Sequence, residues 1–127
     1  MKRTSFAIVS ALSWSIGTTI LLCLPGTAFP KEKWFDSIWL DKWVHIGLFS
    51  TLVFLWCWFA TKIKGKENRR FLEIAIYFFL YGIAMEFVQK YFIPNRSFDV
   101  GDILADGIGC VSGLLISLRV YKKNRPL

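Results

Sequence analysis

Apolar stretches alternate with short charged connections four times along the chain, and this alternation predicts its elements. After Lys2 and Arg3 no charge appears until Lys31; within that stretch a helix is expected over Phe6 to Leu24, stopped by Pro25-Gly26. A second apolar run, LFSTLVFLWCWFA, lies inside a helix expected from Asp41 to Thr61, closed by Lys62, Lys64 and Lys66. A third spans about Arg70 to Phe92, where Glu73 follows Arg69 and Arg70 at pairing distance and Pro94-Asn95 breaks the chain. A fourth starts near Asp99 or Asp102 and continues to about Val120. Each run has the roughly 20 residues needed to cross a hydrocarbon core about 30 Å thick. The fold class is therefore an all-α, four-helix polytopic transmembrane bundle, treated as one domain over residues 1–127.

The first two spans are joined by a segment crowded with aromatics: Trp34, Phe35, Trp39 and Trp43, with Ile38 beside them, lie among Lys31, Lys33, Asp36, Asp41 and Lys42. Amphipathic rings beside charges favour the membrane–water interface, so a short interfacial segment is expected there. The N-terminal run has the basic start of a signal peptide, and Gly26-Thr27-Ala28 offers a small-residue exit. It is long for that role and three further apolar segments follow, so it is read as a retained span. In the fourth span Gly107, Gly109, Ser112 and Gly113 supply small residues for close helix packing.

Composition strengthens the membrane reading. Hydrophobic residues make up 54% of 127 positions, with 6 Trp and 12 Phe, more apolar surface than a soluble domain of this length buries. The net charge of +7 sits in clusters between apolar runs rather than on one basic face, and no nucleic-acid-binding signature accompanies it; nucleic acid is excluded as a partner. Cys23, Cys57 and Cys110 each lie in an apolar run without close spacing, which points to buried small side chains rather than disulfides or a thiolate metal site.

Charge also orients the bundle. Four crossings put both termini and the second connection on one side, with eleven basic residues (Lys2, Arg3, Lys62, Lys64, Lys66, Arg69, Arg70, Arg119, Lys122, Lys123, Arg125). The other side has five (Lys31, Lys33, Lys42, Lys90, Arg96). Positive residues favour the cytoplasm, so both termini are expected there. Asp41, His45, Glu86, Gln89, Asp99, Asp102 and Asp106 then gather toward the outer side. At about 1.5 Å per residue, Asp106 stands roughly 20 Å above Arg119 and Glu86 roughly 20 Å above Glu73. Both carboxylates are thus expected below the outer boundary, where ionisable groups face a bundle interior or a wet cavity.

Helical spacing groups these residues further. Asp41 and His45, Glu86 and Gln89, and Asp102 and Asp106 can each share a face, so the ends of spans two, three and four are expected to line one pocket. His45, Glu86 and Asp106 are candidates for acid–base catalysis, because carboxylates orient an imidazole and a buried carboxyl shifts toward neutral pH. The same donors suit a divalent cation, zinc or manganese with the imidazole and magnesium with oxygens alone. Arg96 can pair with Asp99 or Asp102 or receive an anionic ligand. Each feature also has an ordinary structural explanation: Asp99 and Asp102 suit a helix start, His45 an interfacial site, and the whole set a network that fixes helix packing.

The segments DKWVH at 41–45, EFVQ at 86–89 and RSFDVGDILADGIG at 96–109 together resemble the VanZ-like membrane protein family. The likeness runs from the second span to the fourth. It implies that Asp41, Lys42, His45, Glu86, Gln89, Arg96, Asp99, Asp102 and Asp106 are the family's characteristic polar positions. Gly107-Ile108-Gly109 departs from it, since many relatives carry an Asn soon after the last Asp. The resemblance implies a bacterial cell-envelope setting and, through the family's namesake, a link to resistance to the glycopeptide teicoplanin; it implies no reaction.

Together these readings lead to a multi-pass protein of the bacterial cytoplasmic membrane whose partner is a membrane lipid, a lipid-linked cell-wall precursor or a glycopeptide. Asp41, Lys42, Gln89, Arg96, Asp99 and Asp102 are the expected ligand-binding residues. A metal-dependent or acid–base enzyme acting on a lipid head group and a non-catalytic structural or partner-binding protein are the alternatives. The orientation predicts that Lys33→Cys reacts with an impermeant thiol reagent on intact cells while Lys64→Cys does not; labelling at Lys64→Cys would reverse the topology.

Overall fold

The computed structural model describes residues 2–28, 39–63 and 67–123. Among them are four helices, α1 (Lys2–Leu22), α2 (Leu40–Ala60), α3 (Glu67–Phe92) and α4 (Val100–Lys123), with a single 3₁₀ turn at Gly26–Ala28. All four are long and apolar enough to span a membrane. Most of the aromatic connection between the first two, including Trp34, Phe35 and Ile38, lies outside the described residues, as do Lys64 and Lys66.

A helix is favoured in hydrocarbon because it satisfies its own backbone, and hydroxyl side chains must be satisfied as well. In α1 Ser10, Ser15 and Thr19 donate to the carbonyls of Phe6, Ala11 and Ser15 at 2.8–2.9 Å. Thr51 and Ser117 do the same in α2 and α4, whereas the buried Thr18 hydroxyl has no partner among the described residues. With these groups paired, the outward faces are left to apolar side chains such as Ile16, Leu80, Leu104, Ile108 and Leu115, all exposed to where lipid would lie.

The helix ends follow from local chemistry. Pro25 follows the last turn of α1, where the Cys23 N–H still reaches Thr19 O. Beyond Phe92, Pro94 and Asn95 turn the chain, and Asn95 takes the left-handed conformation (φ 57°) that Asn tolerates better than most residues. Asp99 precedes α4, and its Oδ1 accepts the Gly101 N–H at 2.8 Å, the N-terminal cap expected of an Asp there. Trp39, ahead of α2, is also left-handed (φ 51°) without a side-chain cap, an unfavourable conformation for a bulky aromatic.

Helices α2 and α4 make the closest pair, and glycines set the distance. A Cβ on Gly109 would stand 2.7 Å from Ile46 O, and one on Gly113 would stand 2.6 Å from Ser50 O. The small-residue repeat of the fourth span thus lets the two backbones touch. Helix α3 packs across this pair, burying Phe71, Ala75, Phe78 and Met85 with Phe49, Leu52, Val53, Cys57 and Cys110. Helix α1 lies against α2, tied by Trp14 Nε1 to Leu48 O (3.1 Å) and Trp56 Nε1 to Ser15 Oγ (2.9 Å). At the other end of α1, the Gly26 N–H donates to Pro94 O, which joins it to the α3–α4 connection.

The C-terminus of α1, the N-terminus of α2, the C-terminus of α3 and the N-terminus of α4 consequently meet at one end of the bundle. Because the Gly109 contact is with backbone, it cannot relax by a rotamer change. Gly109→Ala is expected to destabilise the bundle by about 1–3 kcal/mol, read as earlier unfolding in detergent, whereas Gly47→Ala, with nothing within 4 Å, should not.

Candidate functional site

The shared end concentrates the chain's charge. Lys42, in the first turn of α2, reaches across to α4 with Nζ 2.6 Å from Asp99 Oδ2, 2.6 Å from Asp102 Oδ1 and 2.7 Å from Asp41 Oδ2. An ammonium has three donors, and each ends on a different carboxylate. Gly101 makes this reach feasible, since a Cβ there would stand 2.8 Å from Lys42 Cε.

One turn deeper, His45 Nδ1 is 2.7 Å from Asp106 Oδ1. With Asp106 ionised its carboxylate only accepts, so that Nδ1 donates; Nε2 faces Asp102 Oδ2 at 3.7 Å. Phe49 lies parallel to the imidazole with ring centroids 6.5 Å apart. Asp106 itself fits against Gly82 of α3, where a Cβ would stand 2.7 Å from Oδ2. Glu86 approaches from α3: its Oε2 accepts the Asp99 N–H at 3.0 Å, and one ligand atom from each of His45, Glu86 and Asp102 lies within 4.8 Å of the others.

Burial is graded along this set. The side chains of Asp41 and Asp99 are 53% and 44% exposed, Lys42 23%, Asp102 11%, His45 7% and Asp106 2%. The sequence grouped the three catalytic candidates His45, Glu86 and Asp106 as equals; the geometry gives them different places. Asp106 stands behind the imidazole on Nδ1, while Asp102, which a helix start alone would have explained, lies toward Nε2, and Glu86 brings a carboxylate oxygen near both residues.

Two other candidates face different work. Gln89 donates Nε2 to Leu22 O at 2.8 Å, satisfying one of the carbonyls that the end of α1 leaves open, while its buried Oε1 has no partner. Arg96 is half-buried in the α3–α4 connection and is engaged there. The sequence reading missed Gly82 and Gly101 as part of the site; an unexplained glycine inside or at the start of an apolar helix was the available signal.

From Tyr81 toward the opposite end of the bundle runs a mainly apolar cleft of about 670 Å³ among α1, α2 and α3, lined by Leu52, Trp56, Phe59 and Phe78 and reaching Arg70 and Glu73. Ser15, Thr19 and Tyr81 are among its other polar points, and the last two share a hydrogen bond at 2.6 Å. Tyr81 also packs on Phe49, centroids 6.0 Å apart, and Phe49 on His45. This apolar space thus lies along the helices and is linked to the charged cluster through Tyr81, Phe49 and His45.

Four apolar helices with a buried histidine–carboxylate network at one end define a multi-pass membrane protein. The chain belongs to the VanZ/LLP1 family, whose model matches residues 5–121. It is similar to an uncharacterised protein of Schizosaccharomyces pombe, 33% identical over 86 residues, or 66% of this chain and 50% of the relative; the chain spans about half the length of that curated relative. No solved structure matches it.

Asp99 lies just outside the membrane-spanning part of α4, and its hydrogen bond with the Lys42 ammonium holds its carboxyl below the ordinary value of 3.8. A lowered folded-state pKa contributes stability that is present above the unfolded pKa and lost as pH falls through the folded one. Asn keeps a capping oxygen but removes the charge. Asp99→Asn should therefore unfold earlier at neutral pH, by up to about 1 kcal/mol given the exposure of the pair. The difference should vanish in acid below the Asp99 pKa, as read by thermal denaturation across pH.

Proposed function

We propose that this protein binds or modifies the head group of a lipid-linked cell-wall intermediate or a glycopeptide at the charged end of its bundle. In this reading it is a bacterial cytoplasmic-membrane protein with both termini in the cytoplasm, and the cluster opens toward the outer surface. The observation that carries the proposal is the graded cluster itself: exposed Asp41 and Asp99 lead through Lys42 to buried His45, Glu86 and Asp106. Ionisable groups so deep in an apolar bundle are costly and are retained for a task.

An amphiphile suits this arrangement. Its head group would meet Lys42, His45 and Arg96, and its chain would follow the apolar cleft that Tyr81 and Phe49 join to the cluster. His45, held by Asp106 on Nδ1, has the geometry of a general acid or base acting through Nε2, which makes an acid–base enzyme the catalytic form of the same proposal. A relative in a yeast favours a lipid head group over a glycopeptide as the ligand, and teicoplanin resistance would be a consequence of altered envelope chemistry.

A second reading is supported by a specific observation. All three Lys42 donors and His45 Nδ1 end on acceptors within the chain, as in a network that only fixes helix packing or displays a surface to a partner. The two are separated by measuring retention of a labelled lipid-linked precursor by protein in nanodiscs. Head-group binding predicts at least about a tenfold loss in affinity, on the order of 1.4 kcal/mol, for His45→Ala and Asp102→Asn, and none for Ile108→Ala on the lipid-facing side of α4. Unchanged retention in folded His45→Ala would sink the proposal in favour of the structural role.

A further inference from the structure

Five carboxylates, those of Asp41, Glu86, Asp99, Asp102 and Asp106, meet at this end of the bundle. Even with His45 protonated and Arg96 counted beside Lys42, at most three cations balance them. Three of the five are at least nine-tenths buried, where an uncompensated charge is expensive. The remaining polar atoms show where compensation is missing. His45 Nε2 lies 3.7 Å from Asp102 Oδ2, beyond hydrogen-bond distance. The hydrogen bonds of the two neighbouring carboxylates fall on Asp102 Oδ1 and Glu86 Oε2.

We infer that His45 Nε2, Glu86 and Asp102 form the ligand set of a divalent metal ion of the zinc or manganese type. The spacing fits this better than direct contact. A 3.7 Å gap is too long for a hydrogen bond, yet two ligands each about 2.1 Å from one ion stand roughly 3–4 Å apart, depending on the angle between them. One imidazole nitrogen of His45 and one carboxylate oxygen each of Glu86 and Asp102, from three helices, lie within 4.8 Å of one another, a spread that a cation would draw in. One imidazole nitrogen and two carboxylates suit zinc or manganese rather than a thiophilic metal.

Each ligand is also held from behind by a different group. Asp106 Oδ1 hydrogen-bonds His45 Nδ1, Lys42 holds Asp102 Oδ1, and the Asp99 amide holds Glu86 Oε2. Such partners orient ligands and are part of a working metal site. Three protein ligands leave a coordination position for water or for an oxygen of a bound head group. The inference deepens the head-group proposal and rests on the same end of the bundle being a working site, but metal binding is measurable without any lipid.

The test uses the full chain in detergent, stripped with a chelator, dialysed against Zn²⁺ or Mn²⁺, and assayed for metal content by mass spectrometry. One ion per chain is expected. The double variant Glu86→Gln, Asp102→Asn should lose it, as should His45→Ala, while Ile108→Ala, on the exposed face of α4, should bind as wild type does. Asp106→Asn, which keeps all three ligands, should weaken binding about 10- to 100-fold and carries the test if His45→Ala does not fold. Co²⁺ in place of Zn²⁺ should give visible absorption bands that change in Asp106→Asn. Absence of metal in the wild-type chain, or equal binding by the folded double variant, would overturn the site. Metal binding without lipid retention would overturn the head-group reading alone; lipid retention by a chain that takes no metal at saturating Zn²⁺ and Mn²⁺ would overturn the metal site alone.

Discussion

The contact on which this architecture turns is the Lys42 ammonium among Asp41, Asp99 and Asp102. Carboxylates from the start of α2 and the start of α4 would repel one another at the edge of a low-dielectric region. One cation with three donors makes their proximity tolerable and pins α4 to α2 at the polar end. Further down, Gly109 and Gly113 bring the same two helices into backbone contact. Electrostatics at one end and small residues along the length thus act on a single helix pair, and α3 and α1 are added around it.

The same pair carries most of the candidate site residues. His45 comes from α2, Asp102 and Asp106 from α4, and Glu86 from α3, so the site exists only when three helices are docked. Gly82 admits Asp106 and Gly101 admits the Lys42 stem, which links the packing of the bundle to the placement of each charge. The ring sequence His45, Phe49, Tyr81 continues into the apolar cleft. A ligand with a polar head and an apolar chain matches both halves of this surface.

Membership of the VanZ/LLP1 family over residues 5–121 agrees with the resemblance carried by Asp41 to His45, Glu86 to Gln89 and Arg96 to Gly109. The structure adds a division of labour among those positions. Lys42 pairs with three carboxylates, Asp106 holds His45 Nδ1, Asp102 lies toward Nε2 and Glu86 lies close to both, whereas Gln89 is committed to the end of α1. Arg96 belongs to the connection that brings Asp99 to the cap of α4.

The sequence by itself determined the four spans, because apolar length and the breaks at Pro25 and Pro94 are local properties. It also determined which end of each span is polar, since the rise per residue in a helix turns sequence position into depth. The capping role of Asp99 and the i,i+4 pair of Arg69 and Glu73, at 2.9 Å, were legible for the same reason. Only the tertiary structure decided which charges meet. Helix rotation and crossing, set by Gly109 and Gly113 against α2, place Asp106 on Nδ1 and Asp102 toward Nε2. From spacing alone Asp102 and Asp106 are equivalent positions one turn apart, and nothing local distinguishes the residue that orients the imidazole from the one that shares its open face.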